Sequence, residues 1–127
     1  MKNEIHIIYG TNPIQMVQKL LEKAKIAKDL DQGMSIALKP NLVVAKPSYE
    51  GATTSPFIVE GIIQYLLAHN YKNISIIEGS WVGDRTPRAF KICGYEAISR
   101  RYNIPLVDLQ KDSSQEVMVK ELSLKIC

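Results

Sequence analysis

Hydrophobic residues along the chain fall into short compact runs separated by longer stripes with a 3.6-residue period. The compact runs, at residues 5–9, 34–38, 74–77 and 105–109, predict β-strands. The stripes predict helices that begin near residues 13, 56, 87 and 96. Because strands and helices alternate, the pattern favours βαβ units and a parallel sheet.

Three of the predicted helices open with a polar residue followed by proline. These pairs are Asn12-Pro13, Ser55-Pro56 and Thr86-Pro87. The polar side chain can accept a hydrogen bond from an unpaired amide of the first turn, and the φ angle of proline is already set for a helix. We therefore expect a capped helix start at each pair.

Residues 117–124 differ from the other predicted strands, because apolar and polar residues alternate there. This alternation predicts an antiparallel edge strand or hairpin arm. The expected fold class is α/β with three layers, a mostly parallel sheet flanked by helices. We expect residues 1–127 to be a single domain and the amino-terminal part of a longer unit, since Cys127 follows no capping helix or polar tail.

Composition and charge exclude several classes of protein. The 127 residues are 46% hydrophobic and 23% charged, which is typical of a folded chain and not of a disordered one. Apolar stretches are far shorter than the roughly 20 residues of a membrane span, so no membrane role is predicted. The net charge of +3 is too small to predict nucleic-acid binding by itself.

Basic residues are nevertheless concentrated between Trp81 and Asn103. They are Arg85, Arg88, Lys91, Arg100 and Arg101. This cluster is either a solvated helix surface or a basic rim for an anionic ligand.

The two cysteines, Cys93 and Cys127, are too few for a disulfide framework, and the amino terminus has no secretory pattern. These features predict a cytoplasmic location. Neither cysteine lies at metal-ligand spacing from His6 or His69, so no metal site is predicted.

Polar residues are dense at the predicted carboxyl ends of the strands, where open parallel sheets bind ligands. Loops leave these ends at residues 10–12, 39–41, 78–85 and from 108 onward. The 78–86 loop is the strongest candidate, since glycines there can expose backbone amides to an anion and Arg85 can hold it through two N–H groups. Its predicted ligand-binding residues are Gly79, Ser80, Gly83 and Arg85, and its predicted catalytic carboxylates are Glu78 and Asp84. The alternative is a structural turn that leads into a helix.

Two further loops contribute candidate ligand-binding residues. Lys39 and Asn41 follow a strand and can hold an anion or polarise a carbonyl group. Thr53 and Thr54 precede a helix and offer hydroxyl groups. The alternative is that all four only bind nearby backbone or solvent.

Five motifs occur in a recognisable order. They are residues 39–43 (KPNLV), 51–56 (GATTSP), 76–80 (IIEGS), 94–96 (GYE) and 107–109 (VDL). Over about residues 36–109 the chain resembles the amino-terminal part of the domain of unknown function 362 family. The resemblance implies an α/β fold. Because many members carry a ferredoxin-like cysteine cluster elsewhere in the chain, it also implies a redox setting. Two cysteines cannot ligate a four-cysteine iron–sulfur cluster, and the cofactor therefore stays unknown.

The sequence favours an enzyme-like domain that binds an anionic small molecule, within a redox or iron–sulfur-associated protein. The alternative is a non-catalytic interaction domain that docks on a partner or on an iron–sulfur segment, with a homo-oligomer or a redox protein as the partner. Nucleic-acid binding ranks third, because it rests only on the arginines near Arg100. Neither a substrate nor a reaction type follows from the sequence.

Overall fold

A three-stranded parallel sheet forms the centre of the computed structural model, which describes residues 4–113. The strands are β1 (Ile36–Leu38), β2 (Ile74–Glu78) and β3 (Leu106–Asp108), in the order β1-β2-β3. The predicted α/β class and parallel sheet are thus confirmed. The antiparallel strand predicted at residues 117–124 lies outside the described residues.

Four helices accompany the sheet. They are α1 (Pro13–Ala24), α2 (Pro56–Ala68), α3 (Thr86–Ile92) and α4 (Tyr95–Tyr102), with short 3-10 turns at Ile26–Lys28 and Ser48–Glu50. All four begin within a residue of their predicted positions. Across residues 4–113, no helix combines the length and the apolar character needed to cross a membrane.

The three polar-proline pairs differ in how they start their helices. Asn12 caps α1 as predicted, because its side chain accepts a hydrogen bond of 3.1 Å from the amide of Gln15. Ser55 is the N-cap residue of α2 as predicted, but its side chain makes no capping hydrogen bond, and a backbone bond from the amide of Ile58 to the carbonyl of Ser55 closes the first turn. The predicted cap by Thr86 is wrong, because Thr86 lies inside α3 and its hydroxyl accepts from the amide of Ser80.

The strand predicted at residues 5–9 is also wrong. This segment is not a β-strand and belongs to no ladder of the described sheet. Ile5, Ile7 and Tyr9 are 89%, 63% and 91% exposed, so neither backbone pairing nor burial stabilises a strand. As a consequence, the 10–12 loop does not leave the carboxyl end of a strand.

One face of the sheet carries the hydrophobic core. Alternate strand residues of this face are buried in the core or pack against it, namely Ile36, Leu38, Ile74, Ile76 and Leu106. The other face carries Ala37, Ser75, Ile77 and Val107, which are exposed or half-exposed. Within residues 4–113 the core therefore lies on one face, and the third layer of the expected architecture is not seen in this range.

Helix α1 packs on α2 at a point where only glycine fits. A Cβ atom at Gly61 would lie 2.3 Å from Cγ1 of Val17 and 2.8 Å from the carbonyl oxygen of Ile14. The absence of a side chain at Gly61 lets the two helices approach closely. This close contact holds α1 on α2, although no residue of α1 is fully buried.

Candidate functional site

The carboxyl ends of all three strands lie at one edge of the sheet. Lys39 follows β1, Glu78 ends β2 and Asp108 ends β3, with Glu78 directly opposite Asp108 in the parallel ladder. This is the edge at which the sequence predicts a binding site. The contacts of each residue decide which of them are still available to a ligand.

Glu78 is the most buried of the predicted site residues, with 2% of its surface exposed. Its Oε1 accepts hydrogen bonds from Nζ of Lys39 (3.0 Å) and from the amide of Gly79 (2.8 Å). Its Oε2 accepts from the amide of Leu42 at 3.0 Å. Both carboxylate oxygens are thus occupied by donors of the protein, and Glu78 joins the loop after β1 to the end of β2.

Asp84 plays the same part a few residues later. One oxygen accepts from the amide of Ala45 at 2.7 Å, and the other accepts from the amide of Arg85 at 2.7 Å and from Arg88 at 3.0 Å. These hydrogen bonds, the one from Ala45 above all, hold the pKa of Asp84 below its ordinary value. The carboxylate is therefore kept ionised in the folded protein.

The predicted hydroxyl ligands connect loops to one another. Thr54 accepts from the amide of Asn41 at 3.0 Å and its own amide donates to the carbonyl of Asn41 at 2.9 Å. Thr53 donates to the carbonyl of Lys46, and Ser80 donates to the carbonyl of Leu42. The structure brings these residues together as predicted, but as a network in which their hydroxyl groups already have partners.

The two glycines of the 78–86 loop have different surroundings. Gly79 is exposed, and its amide is bonded to the side chain of Glu78. At Gly83 a Cβ atom would lie 2.1 Å from the ring of Trp81, so glycine is needed for the ring to fold over the loop. Because the amide of Gly79 already donates to Glu78, it is not directed at an open site.

Arg85 lies beside an open cleft of about 400 Å³. One wall comes from the start of α3 and the other from the loop after β3. The lining residues are Arg85, Pro87, Arg88, Asp108, Gln110 and Lys111. This volume is in the range of small-molecule sites, and three of the six side chains are cationic.

The second wall of this cleft lies in the loop from Asp108 onward, whose residues are not among the site residues that the sequence predicts. Gln110 holds this wall in place, since its Nε2 donates to the carbonyl of Ser80 at 2.7 Å. Asp108 accepts from the amide of Gln110 at 3.0 Å through Oδ1. The dense polar residues after β3 were the available signal, but which side chains face Arg85 depends on how the start of α3 packs beside the loop after β3.

The basic cluster between residues 85 and 101 is partly neutralised. Arg88 pairs with Asp84, Arg100 with Glu96, and Arg101 with the buried carboxylate of Glu60. Among the described residues, the side chains of Arg85 and Lys111 have no carboxylate partner. Within the described range, Lys91 of α3 has no carboxylate partner either but does not line the cleft, so Arg85 and Lys111 are the unpaired cations at the cleft itself.

A larger groove of about 480 Å³ lies between α1 and α2, away from the strand ends. Four of its polar side chains have protein partners: Gln18 donates to Gln64, and His69 contacts both Glu22 and the carbonyl of Tyr65. Because these groups already have partners, we favour the smaller cationic cleft as the functional site.

Cys93 is buried, and its thiol lies 3.1 Å from the carbonyl of Lys46. Burial raises the pKa of this thiol, which disfavours the reactive thiolate form. Within residues 4–113, no group of three or more histidine, cysteine or acidic residues is placed to hold a metal ion.

Comparison with known proteins gives a family but no characterised relative. The profile of the family described as Domain of unknown function (DUF362) matches residues 36–127, which is most of the chain. Searches of curated proteins and of solved structures returned no match. The chain therefore belongs to the DUF362 family, as its ordered motifs between residues 36 and 109 predict.

Proposed function

We propose that this chain is a ligand-binding domain that takes an anionic small molecule in the cleft between α3 and the loop after β3. The observation that carries the proposal is the placement of Arg85, Arg88 and Lys111 around one cleft at the carboxyl edge of a parallel sheet. Arginine and lysine side chains bind phosphate and carboxylate groups through charge-assisted hydrogen bonds. A site at this edge agrees with where α/β folds bind their ligands.

The contributions of the three cations differ. Arg88 is shared with Asp84, so it can offer an anion only part of its guanidinium group. Arg85 and Lys111 are both exposed and stand on opposite walls of the cleft. Lys39, which the sequence also predicts as a ligand, is held by Glu78 at 3.0 Å and supports that carboxylate first. We therefore assign the main anion contacts to Arg85 and Lys111.

We assign binding and not a reaction. Glu78 and Asp84 would have to give up backbone amides before they could act on a substrate, and a catalytic role for either stays a prediction. The iron–sulfur association implied by the family and the cytoplasmic location also stay predictions.

The proposal is tested by isothermal titration with inorganic phosphate and with succinate. We expect binding to the unchanged chain and a loss of more than tenfold in affinity in the double variant Arg85→Gln, Lys111→Gln, because two charge-assisted contacts are removed. Since the charges are exposed, binding should also weaken as salt is raised.

The matched control is the double variant Arg100→Gln, Lys91→Gln. It removes the same two charge types from exposed positions that do not line the cleft. Equal loss of affinity in both double variants would show a diffuse charge effect and overturn the assignment. Failure of both phosphate and succinate to bind to the unchanged chain would overturn the assignment as well.

A second candidate function is a non-catalytic interaction domain. It is favoured by the sheet face opposite the core, where Ile77 and Val107 lie side by side in register and are half-exposed. Aliphatic side chains in this position usually pack against another layer. This function does not exclude the first, because the face and the cleft use different residues.

A further inference from the structure

The cleft contains an anionic group as well as its three cations. Asp108 lines the cleft, and its Oδ2 is buried with no hydrogen-bond partner among the described residues. A buried acceptor without a donor is rare in folded proteins and costs free energy. The neighbouring carboxylate, Glu78, shows the usual solution, since protein donors reach both of its oxygens.

The free oxygen of Asp108 is held in place. Its other oxygen, Oδ1, accepts from the amide of Gln110, and the side chain of Gln110 is bonded to the carbonyl of Ser80. The carboxylate therefore cannot turn toward solvent without breaking the cap of its own loop. An ionised carboxylate only accepts hydrogen bonds, so Oδ2 needs a donor from outside these contacts.

We infer that the ligand of this cleft is zwitterionic, with an anionic group bound by Arg85 and Lys111 and an ammonium group bound by Asp108. This inference rests on the proposed function and names its ligand class. Of the donors that small molecules offer, ammonium both donates a hydrogen bond and compensates the charge of Asp108.

The buried position of Oδ2 adds a step to binding. Because this oxygen is out of contact with solvent, the groups that cover it have to move before an ammonium group reaches it.

A matched pair of ligands tests the inference. Aspartate is succinate with one hydrogen replaced by an ammonium group, which reduces its net negative charge. A purely cationic cleft would therefore prefer succinate. We expect isothermal titration to show the reverse, with aspartate bound about tenfold more tightly than succinate, as a charge-assisted hydrogen bond predicts.

The variant Asp108→Asn should remove the preference for aspartate and keep the affinity for succinate, because the amide lacks the charge and places a donor where the ammonium group binds. Asp112→Asn, in the same loop and exposed, is the matched control and should behave like the unchanged chain. The comparison of the two ligands on the unchanged chain stands even if Asp108→Asn does not fold.

The outcomes separate this inference from the proposed function. Binding of succinate or phosphate without a preference for aspartate over succinate would overturn the zwitterionic ligand and leave the anion site intact. A preference for aspartate that survives in folded Asp108→Asn would overturn the role of Asp108. Failure of both phosphate and succinate to bind to the unchanged chain would overturn the proposed function itself.

Discussion

Two carboxylates at the sheet edge, Glu78 and Asp84, hold the same irregular segment of the chain. Glu78 binds the amide of Leu42, and Asp84 binds the amide of Ala45. Leu42 and Ala45 are buried although they lie in no helix or strand, so their amides need partners that regular structure does not supply. Acidic residues in a glycine-containing loop can thus accept hydrogen bonds from backbone amides, without any contact to a substrate.

Asp84 should make the stability of the protein depend on pH. Its pKa in the folded state lies below the ordinary value of 3.8, mainly because Ala45 and Arg85 donate backbone hydrogen bonds to it. The stabilisation from a depressed carboxylate pKa is fully present above the ordinary value and is lost as pH falls through the folded-state pKa. We therefore expect Asp84→Asn to be less stable than the unchanged chain at pH 7, and the gap between them to narrow as pH falls below 3.8.

Chemical denaturation across this pH range measures the effect. Asp29→Asn, at an exposed position away from the edge, controls for the general loss of one negative charge. A gap between Asp84→Asn and the unchanged chain that stays constant from pH 7 to pH 3 would contradict the account.

At the scale of elements, α1 is attached to the rest of the fold by its close packing on α2. Gly61→Ala would improve helix propensity by about 1 kcal/mol in an exposed helix. Here the added methyl group collides with Val17 and with the backbone at Ile14, so we expect the free energy of unfolding to fall by about 1–3 kcal/mol.

Urea denaturation of Gly61→Ala tests this packing, and Val17→Ala provides the coupled variant. Because Val17 makes the shortest contact, the double variant should lose less stability than the sum of the two single variants. Strict additivity would show that the two helices do not meet at this point.

At the scale of the whole molecule, the described residues leave one sheet face without a covering layer. The strand positions on this face are Ala37, Ser75, Ile77 and Val107, none of them charged. An uncharged, partly apolar face can pair with its own copy about a two-fold axis. We therefore expect light scattering to show a dimer as protein concentration rises, and Val107→Lys to remain monomeric while its circular dichroism is unchanged.

The control for this experiment is a lysine at an exposed position off the face, Ser113→Lys. It adds the same charge, and it should dimerise like the unchanged chain. A monomer at every concentration for the unchanged chain would remove the support for self-association through this face.

The local sequence determined the elements of this protein. Apolar periodicity and the polar-proline pairs located all four helices, since these features act within a few residues of one another. Compact apolar runs located three strands, and the dense polar residues at their ends predicted a site at the sheet edge where the candidate cleft lies. The run at residues 5–9 misled because an apolar run becomes a strand only when a neighbouring strand pairs with it.

Tertiary structure decided what each polar residue does. Glu78 and Asp84 are occupied by amides that lie 36 and 39 residues away in the sequence, and no local pattern encodes such a pairing. The cleft likewise needs the start of α3 and the loop after β3 to come together, which places Arg85 near Lys111 and Asp108. Hydrogen bonds and charges act over a few ångströms in space, so a cleft assembled from segments distant in the sequence becomes visible only in the folded chain.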